Sequence, residues 1–407
     1  MATAERYDRQ TRIVGWDQTK LDKSTAFVIG SEKLSDFLLV DLAALGIGRI
    51  FRIGQSNLFP FSELNPEIFL EQTGEEILTS QEADRIISSE NPSTVVIDCT
   101  NNPKSKFFSS IAAKLKGLKY FSASAGQNSF SFSSEQAGES LFEYHKESGQ
   151  PQGPINSMIC SAILADELRK YLMPLKTDLV LSEYEREMQE PGRLERKIIQ
   201  VGAGATGTFT GFALSTLGAD LILVDYDTVE KTNLNRQFLF YDSIGLNKAN
   251  ALAEKIRRYG SGKIGFLEKK IAENFRIKNF DFIFSCVDNN DARIYMEEAS
   301  AQSGIPLVNC GSSIEGCSAC VYTPKKTACL TCQTGLKSTK QEVKKRAIGD
   351  CFNPSLIITN QIAGALAVKV AYDTSRGLYL SQEYHSGLGI DTQQINDLCF
   401  KNCRRNG

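Results

Sequence analysis

The segment KIIQVGAGATG carries Gly202, Gly204 and Gly207 in a GxGxxG spacing, after a run of strand-forming residues and before a helix-forming one. Glycines so spaced let backbone amides and a helix N-terminus approach phosphate oxygens. The spacing alone is shared by dinucleotide and flavin sites. Asp225, at the end of the next strand DLILVDYD, suits a ribose in either case. The following residues discriminate. DYDTVEKTNLNRQFLF and then Lys248 place Asn233, Arg236, Gln237 and Lys248 just beyond the turn. A dinucleotide has no triphosphate to neutralise, whereas phosphoryl or nucleotidyl transfer develops charge that Arg and Lys stabilise. Asp288, in SCVDNNDAR, is a carboxylate at the end of a later strand and a candidate for holding Mg²⁺.

Cysteines supply a second set of candidates. Cys329 and Cys332 form a CxxC in TACLTCQ, expected as a tight turn, and Cys399 and Cys403 lie in DLCFKNCRR. Two close pairs distant in sequence can give four thiolates for tetrahedral zinc, although the second pair taken alone is equally consistent with incidental cysteines. Cys351 lies in KKRAIGDCFNPSLIITNQIAG, between a Lys-rich stretch and an apolar helix. A helix N-terminus with Lys344, Lys345 and Arg346 close in sequence is a setting that lowers a thiol pKa. Such a thiolate can attack an acyl-adenylate, and from context alone a structural loop thiol fits as well. Cys310, Cys317 and Cys320, with Cys99, Cys160 and Cys286, read mostly as core residues. His145 and His385 are the only histidines, too few to supply a histidine metal site or a Ser-His-Asp triad well.

The elements that must position these residues occur twice. KIIQVGAGATG, TFTGFALSTLGA and DLILVDYD read as strand, turn, helix and strand; so do TAFVIGSEKLS, DFLLVDLAALGIG and RIFRIGQS. DFIFSCVDNNDAR matches TVVIDCTNNPKSK. PSLIITNQIAGALAVKVAY and PINSMICSAILADELRKYL are small-residue apolar helices near the end of each half. This is the plan of a parallel nucleotide-binding sheet, present in duplicate. The first copy keeps Gly30 but has Glu32 and Ser35 at the other two glycine positions, Gly54 to Ser56 where the second has Asp225 and Asp227, and Asn101 for Asp288. The charged stretch at 175–195, with Pro191 and Gly192, is expected to connect halves 1–180 and 181–407.

A chain of 407 residues, 42% hydrophobic and 23% charged, suits two globular domains. A net charge of -2 gives no basic field for nucleic acid or an acidic membrane. The start MATAERYDRQTR has no apolar run, and no stretch approaches the ~20 apolar residues of a membrane span. A cytoplasmic location is expected. Without a secretory signal, eleven cysteines argue against a disulfide framework.

GAGATG, LVDYDTVEKTNLNRQF, Lys248 and SCVDNNDAR together resemble the adenylation domain of ubiquitin-like-protein-activating enzymes and their bacterial relatives, which adenylate sulfur-carrier proteins. The likeness covers nearly all of residues 196–375. It implies an α/β fold of two Rossmann-like, mostly parallel-sheet halves forming a pseudo-two-fold dimer in one chain. The Gly202–Gly207 turn would lie on ATP, with Asp225 on the ribose and Asp227 assisting. Asn233, Arg236, Gln237 and Lys248 would meet phosphates, and Asp288 would hold Mg²⁺. The family's RYxRQ helix is present once, as Arg6-Tyr7-Asp8-Arg9-Gln10, which implies that Arg9 crosses from the first half to the ATP of the second. The family's CxxC and C-terminal pair imply structural zinc on Cys329, Cys332, Cys399 and Cys403. The layout resembles the compact ufmylation-type activating enzyme with an added inactive half, which makes Cys351 the nucleophile. The expected function is adenylation of the C-terminal glycine of a ubiquitin-like protein. Thioester formation on Cys351 and transfer to a conjugating enzyme would follow. No large inserted cysteine domain and no C-terminal ubiquitin-fold domain is expected. Three alternatives stand beside this: a sulfur-carrier adenylyltransferase that forms no thioester, a NAD-dependent oxidoreductase and a non-catalytic scaffold.

Overall fold

The computed structural model describes residues 5–74, 80–88, 91–134, 150–273, 275–335, 354–395, 399 and 403. The candidate nucleophile Cys351, with Lys344, Lys345 and Arg346, lies outside these residues.

The apolar runs become inner strands. The first sheet contains β1 (Thr25–Ile29), β2 (Arg49–Ile53), β3 (Phe69–Thr73), β4 (Thr94–Asp98), β5 (Lys119–Ala125), β6 (Ser129–Ser133) and β7 (Glu183–Glu187). Its order is β3-β2-β1-β4-β5-β6-β7. The pairs from β3 to β5 are parallel, and β6 and β7 add antiparallel. The second sheet contains β8 (Lys197–Val201), β9 (Asp220–Val224), β10 (Ile264–Leu267), β11 (Phe282–Ser285), β12 (Leu307–Ser312), β13 (Gly316–Tyr322), β14 (Leu380–His385) and β15 (Gly389–Gln394). Its order is β10-β9-β8-β11-β12-β13-β14-β15, parallel from β10 to β12. Strands β1, β4 and β11 are buried at every residue, as apolar runs covered on both faces should be.

The duplication holds at the level of single hydrogen bonds. Ile29 stands beside Ile53 and Asp98, and Val201 beside Val224 and Ser285. This register makes Gly30 the counterpart of Gly202, and Gly54 that of Asp225. The Gly30 N–H donates to Ile53 O and that of Cys99 to Ile29 O; the Gly202 N–H donates to Val224 O and that of Cys286 to Val201 O. The helices Pro103–Lys116 and Asn290–Ser303 are capped by Asn102 and Asn289, and each ends on a left-handed glycine. In both sheets the order reverses at the central strand. Ligands of such sheets bind outside the carboxyl ends of the strands at that point.

The chain divides into two compact units, Met1–Glu190 with Leu356–Ile358 and Ser386–Gly389, and the remainder. The division at 190/191 lies within the stretch 175–195, part of which is β7, hydrogen-bonded along β6. Its alternation of exposed and half-buried residues, EYERE, is that of an edge strand. TACLTCQ holds a short helix, Leu330–Thr334, beginning on Cys329. Among the described residues no helix is long and apolar enough to cross a membrane.

In the first unit the turn after β1 is closed from inside. Arg52, fully buried on β2, donates from Nε to Gly30 O at 2.9 Å. Its Nη2 reaches Ser35 Oγ at 2.9 Å and Asp36 Oδ1 at 2.7 Å, and Ser56 Oγ donates to the other oxygen of Asp36 at 2.9 Å. Burial pushes the Asp36 carboxyl up, opposed by the Arg52 charge. Residues that differ from their second-copy counterparts therefore bond to one another here. Removing one partner of such a pair leaves an uncompensated buried charge, so Arg52→Met should cost about 3–5 kcal/mol of stability. Denaturant unfolding should also show the double variant D36L/R52M recovering part of that loss.

Candidate active site

The turn after β8 admits no side chains at two of its glycines. Gly202 has φ +96°, and a Cβ there would lie 2.5 Å from Cys286 O. A Cβ on Gly207 would lie 2.1 Å from Gly202 O. The backbone therefore folds onto itself and onto the loop that follows β11. A Cβ on Gly204 would meet nothing within 4 Å. Gly204 is the N-cap of the helix Ala205–Thr216, and among the described residues no side chain caps that terminus. Uncapped first-turn amides at an open glycine are the arrangement that receives an anion.

Asp225 stands beyond β9 and is bound to the turn. Its Oδ2 accepts the Ala203 N–H at 2.7 Å and its Oδ1 the Asp227 N–H at 2.9 Å. Burial raises its pKa, and these two N–H bonds pull the other way. Lys248 opens the helix Lys248–Ile256, and its Nζ pairs with Asp227 Oδ2 at 3.1 Å. Asn247 sets that start. It caps the helix through the Asn250 N–H, and its Nδ2 donates to Asp225 O at 3.1 Å and Asp227 O at 3.2 Å.

The segment between them is held down rather than extended into solvent. Asn233, Arg236 and Gln237 are buried. Asn233 Oδ1 accepts the Glu230 N–H at 2.9 Å within a capping box. Arg236 Nη1 donates to Thr232 O at 2.6 Å and to Asn235 Oδ1 at 2.8 Å. Phe238 stacks on Phe209 of the helix Ala205–Thr216, with centroids 4.8 Å apart. The segment is thereby fastened to the same helix that the glycine turn begins.

Asp288 is exposed just past the end of β11. Its loop is braced by Arg293, whose Nε and Nη2 donate to Val287 O at 3.2 and 3.0 Å. The structure thus gathers the Gly202–Gly207 turn, Asp225, Asp227 and Lys248 at the carboxyl ends of β8 and β9, with the Asp288 loop following the residue that touches Gly202. Three residues not singled out from the sequence shape this site: Gln200, Asn247 and Arg293. Gln200 carried a signal, a polar residue within the apolar strand KIIQV. Arg9 lies partly exposed on the helix Asp8–Thr11 of the first unit. Arg6, Tyr7 and Gln10 anchor the chain there: the Arg6 guanidinium donates to Leu64 O, Tyr7 Oη accepts from Asn65, and Gln10 donates to Leu45 O.

The four candidate metal-binding cysteines converge. Their sulfurs all lie within 4.8 Å of one another. Cys329 and Cys403 sulfurs are 3.4 Å apart, and the Cys329 N–H donates to Cys399 Sγ at 3.2 Å. Tetrahedral zinc with Zn–S of ~2.3 Å places its sulfurs about 3.8 Å apart, so the set has the size and donor chemistry of such a site.

A family model, the ThiF family, matches residues 177–398. Ubiquitin-like modifier-activating enzyme 1 of Homo sapiens is 33% identical over 134 residues, 29% of this chain and 13% of that protein. Ubiquitin-like modifier-activating enzyme 5 of Aedes aegypti is 29% identical over 185 residues, 40% of this chain and 44% of that protein. Adenylyltransferase and sulfurtransferase MOCS3 of Dictyostelium discoideum is 29% identical over 189 residues, 44% of each. The chain therefore spans less than half the length of each of these relatives. Among solved structures, E. coli MccB with ATP aligns at a TM-score of 0.43 and 20% identity, over 52% of this chain and 66% of that one.

The two close-packed and one open glycine positions make opposite expectations. Gly207→Ala should cost about 1–3 kcal/mol, because the turn must shift to admit the methyl group. Gly204→Ala, in an allowed conformation with open space, should stay within about 0.5 kcal/mol of wild type. Thermal unfolding of the two variants checks the contrast.

Proposed function

The chain belongs to the ThiF family, and on that premise we propose that its second unit uses ATP to adenylate the C-terminal glycine of a ubiquitin-like protein. The observation that carries this reading is the helix N-terminus at Gly204, uncapped among the described residues and bounded by Asp225, Asp227 and Lys248. The names of the relatives support it: two modifier-activating enzymes and an adenylyltransferase.

In this proposal the turn amides take the phosphates and Asp225 the ribose, with Asp227 beside it. Lys248 exchanges the half-exposed Asp227 for phosphate. Arg236, Asn233 and Gln237 present polar groups from the fastened segment, and Arg9 keeps the phosphate role that its motif implies. Asp288 would hold Mg²⁺, which neutralises phosphate charge when bound. A carboxylate oxygen of the modifier's glycine attacks the α-phosphorus. The new P–O bond forms as the α–β bridging bond breaks, and pyrophosphate leaves. The cations stabilise the charge that develops. The first unit, whose turn is closed by Arg52 and Asp36, is proposed to bind no nucleotide.

The finer reading assigns a second step to Cys351. Its thiolate attacks the acyl-adenylate carbonyl, AMP leaves, and the resulting thioester passes to a conjugating enzyme. The similarity to MOCS3 favours a second reading, in which adenylation serves a sulfur carrier and no thioester forms. We also propose zinc on Cys329, Cys332, Cys399 and Cys403. Four thiolates leave no open ligand position, so its role is to fasten the C-terminal pair to the CxxC helix.

ATP–pyrophosphate exchange should depend on a glycine-ending ubiquitin-like protein, and Lys248→Ala should lower its kcat/KM by about 10²-fold or more. Exchange that survives in Cys351→Ala while a thiol-sensitive modifier adduct disappears supports the two-step reading. An adduct that persists moves the nucleophile elsewhere, and exchange without any adduct supports the sulfur-carrier reading. Elemental analysis should find about one zinc per chain, and C399S/C403S should lose it together with thermal stability.

A further inference from the structure

Gln200 is the one polar residue facing inward from the middle of β8, and it is fully buried. Its Nε2 donates to Gly202 O at 3.0 Å and to Gly207 O at 2.8 Å. Its Oε1 accepts no hydrogen bond among the described residues. A central parallel strand ordinarily spends such a position on an apolar side chain, and a buried amide oxygen without a donor is costly. The two donated bonds are what offsets that cost.

Both bonds act on the turn. Gly202 O belongs to the peptide that joins Gly202 to Ala203. The N–H of that peptide donates to Asp225. Gln200 therefore clamps one end of this peptide and Asp225 the other, which fixes its plane against the flip that a glycine at positive φ otherwise permits. Through Gly207 O the same amide fixes the distance between the turn and the first coil of the helix Ala205–Thr216. The first unit has the same need and meets it differently. Val28 occupies the Gln200 position, and Gly30 O is held instead by Arg52, which brings Asp36 and Ser35 with it. A neutral amide holds the second turn's carbonyl without adding a charge pair.

Resting on the nucleotide reading of this site, we propose that Gln200 is a positioning residue for ATP: from inside the sheet it holds the 202–203 peptide and the Gly207 carbonyl, so that the turn meets phosphate and ribose without rearranging. Loss of its donors makes nucleotide binding pay for that rearrangement.

The test is calorimetric titration of the full chain with a non-hydrolysable ATP analogue and Mg²⁺, which needs no modifier. Gln200→Met keeps size and removes both donors. Its Kd should rise about five- to tenfold with stoichiometry unchanged, because misfolded protein lowers stoichiometry and leaves Kd alone. Ile199→Val, a packing change on the same strand, should leave Kd at the wild-type value. Gln200→Glu carries the test if Q200M does not fold. A buried carboxyl donates only when protonated, so its Kd should weaken as pH rises more steeply than that of wild type. A wild-type Kd in Q200M, or a Q200E profile parallel to wild type, overturns the proposal. Wild-type protein that binds no nucleotide overturns instead the functional reading beneath it.

Discussion

The second unit's site depends on a backbone contact: the first coil of a helix lies so close to the end of its preceding strand that Gly207 has no space for a methyl group, and the loop after β11 closes on Gly202 in the same way. That closeness aims the helix N-terminus at the switch point of the sheet. It also draws two carbonyls, Gly202 O half-buried and Gly207 O buried, against the inner side of the turn. Buried carbonyls must be bonded, so a side chain has to reach them from within. Gln200 does so on one side, and Asp225 secures the opposite face of the same peptide. Asn247 then ties the backbone of Asp225 and Asp227 to the helix that carries Lys248.

The first unit shows what the same architecture becomes when these constraints are met by charge. Ser35 stands where Gly207 does, and Arg52 fills the space behind the turn. Asn101, the counterpart of Asp288, spends its amide on Ala125 O and Gln150 O, both at 2.9 Å. Other features are unchanged. Lys106 and Arg293 occupy equivalent helical positions, and each donates to the equivalent carbonyl on the neighbouring strand, Ala123 O and Cys310 O. Features that shape the sheet and its caps recur in both units, and those that would meet nucleotide do not. This contrast underlies the proposal that only one unit is an adenylation site.

Much of this was legible in the sequence because it depends on local patterns. The glycine spacing, the apolar strands and the match of DFIFSCVDNNDAR with TVVIDCTNNPKSK read directly onto the fold, and the CxxC and the C-terminal cysteine pair do converge. What was missed depends on register. Glu183–Glu187 is charged, and only its pairing with β6 identifies it as an edge strand. Gln200 and Arg52 look like imperfections in apolar strands until the neighbouring turn shows which carbonyls they satisfy. Lys248 was legible as a cation but not its pairing with Asp227, since side chains separated by twenty-one positions meet only after the loop has closed.

The claim that one turn is open and its twin sealed is tested most directly by counting nucleotides and finding where they sit. Equilibrium binding of a photoreactive ATP analogue to the full chain, followed by mapping of the cross-linked peptides, gives both. One nucleotide per chain, with label in peptides around 202–290 or in the segment carrying Arg9, is the expected result. Two nucleotides per chain, or label in peptides spanning 25–125, would contradict it.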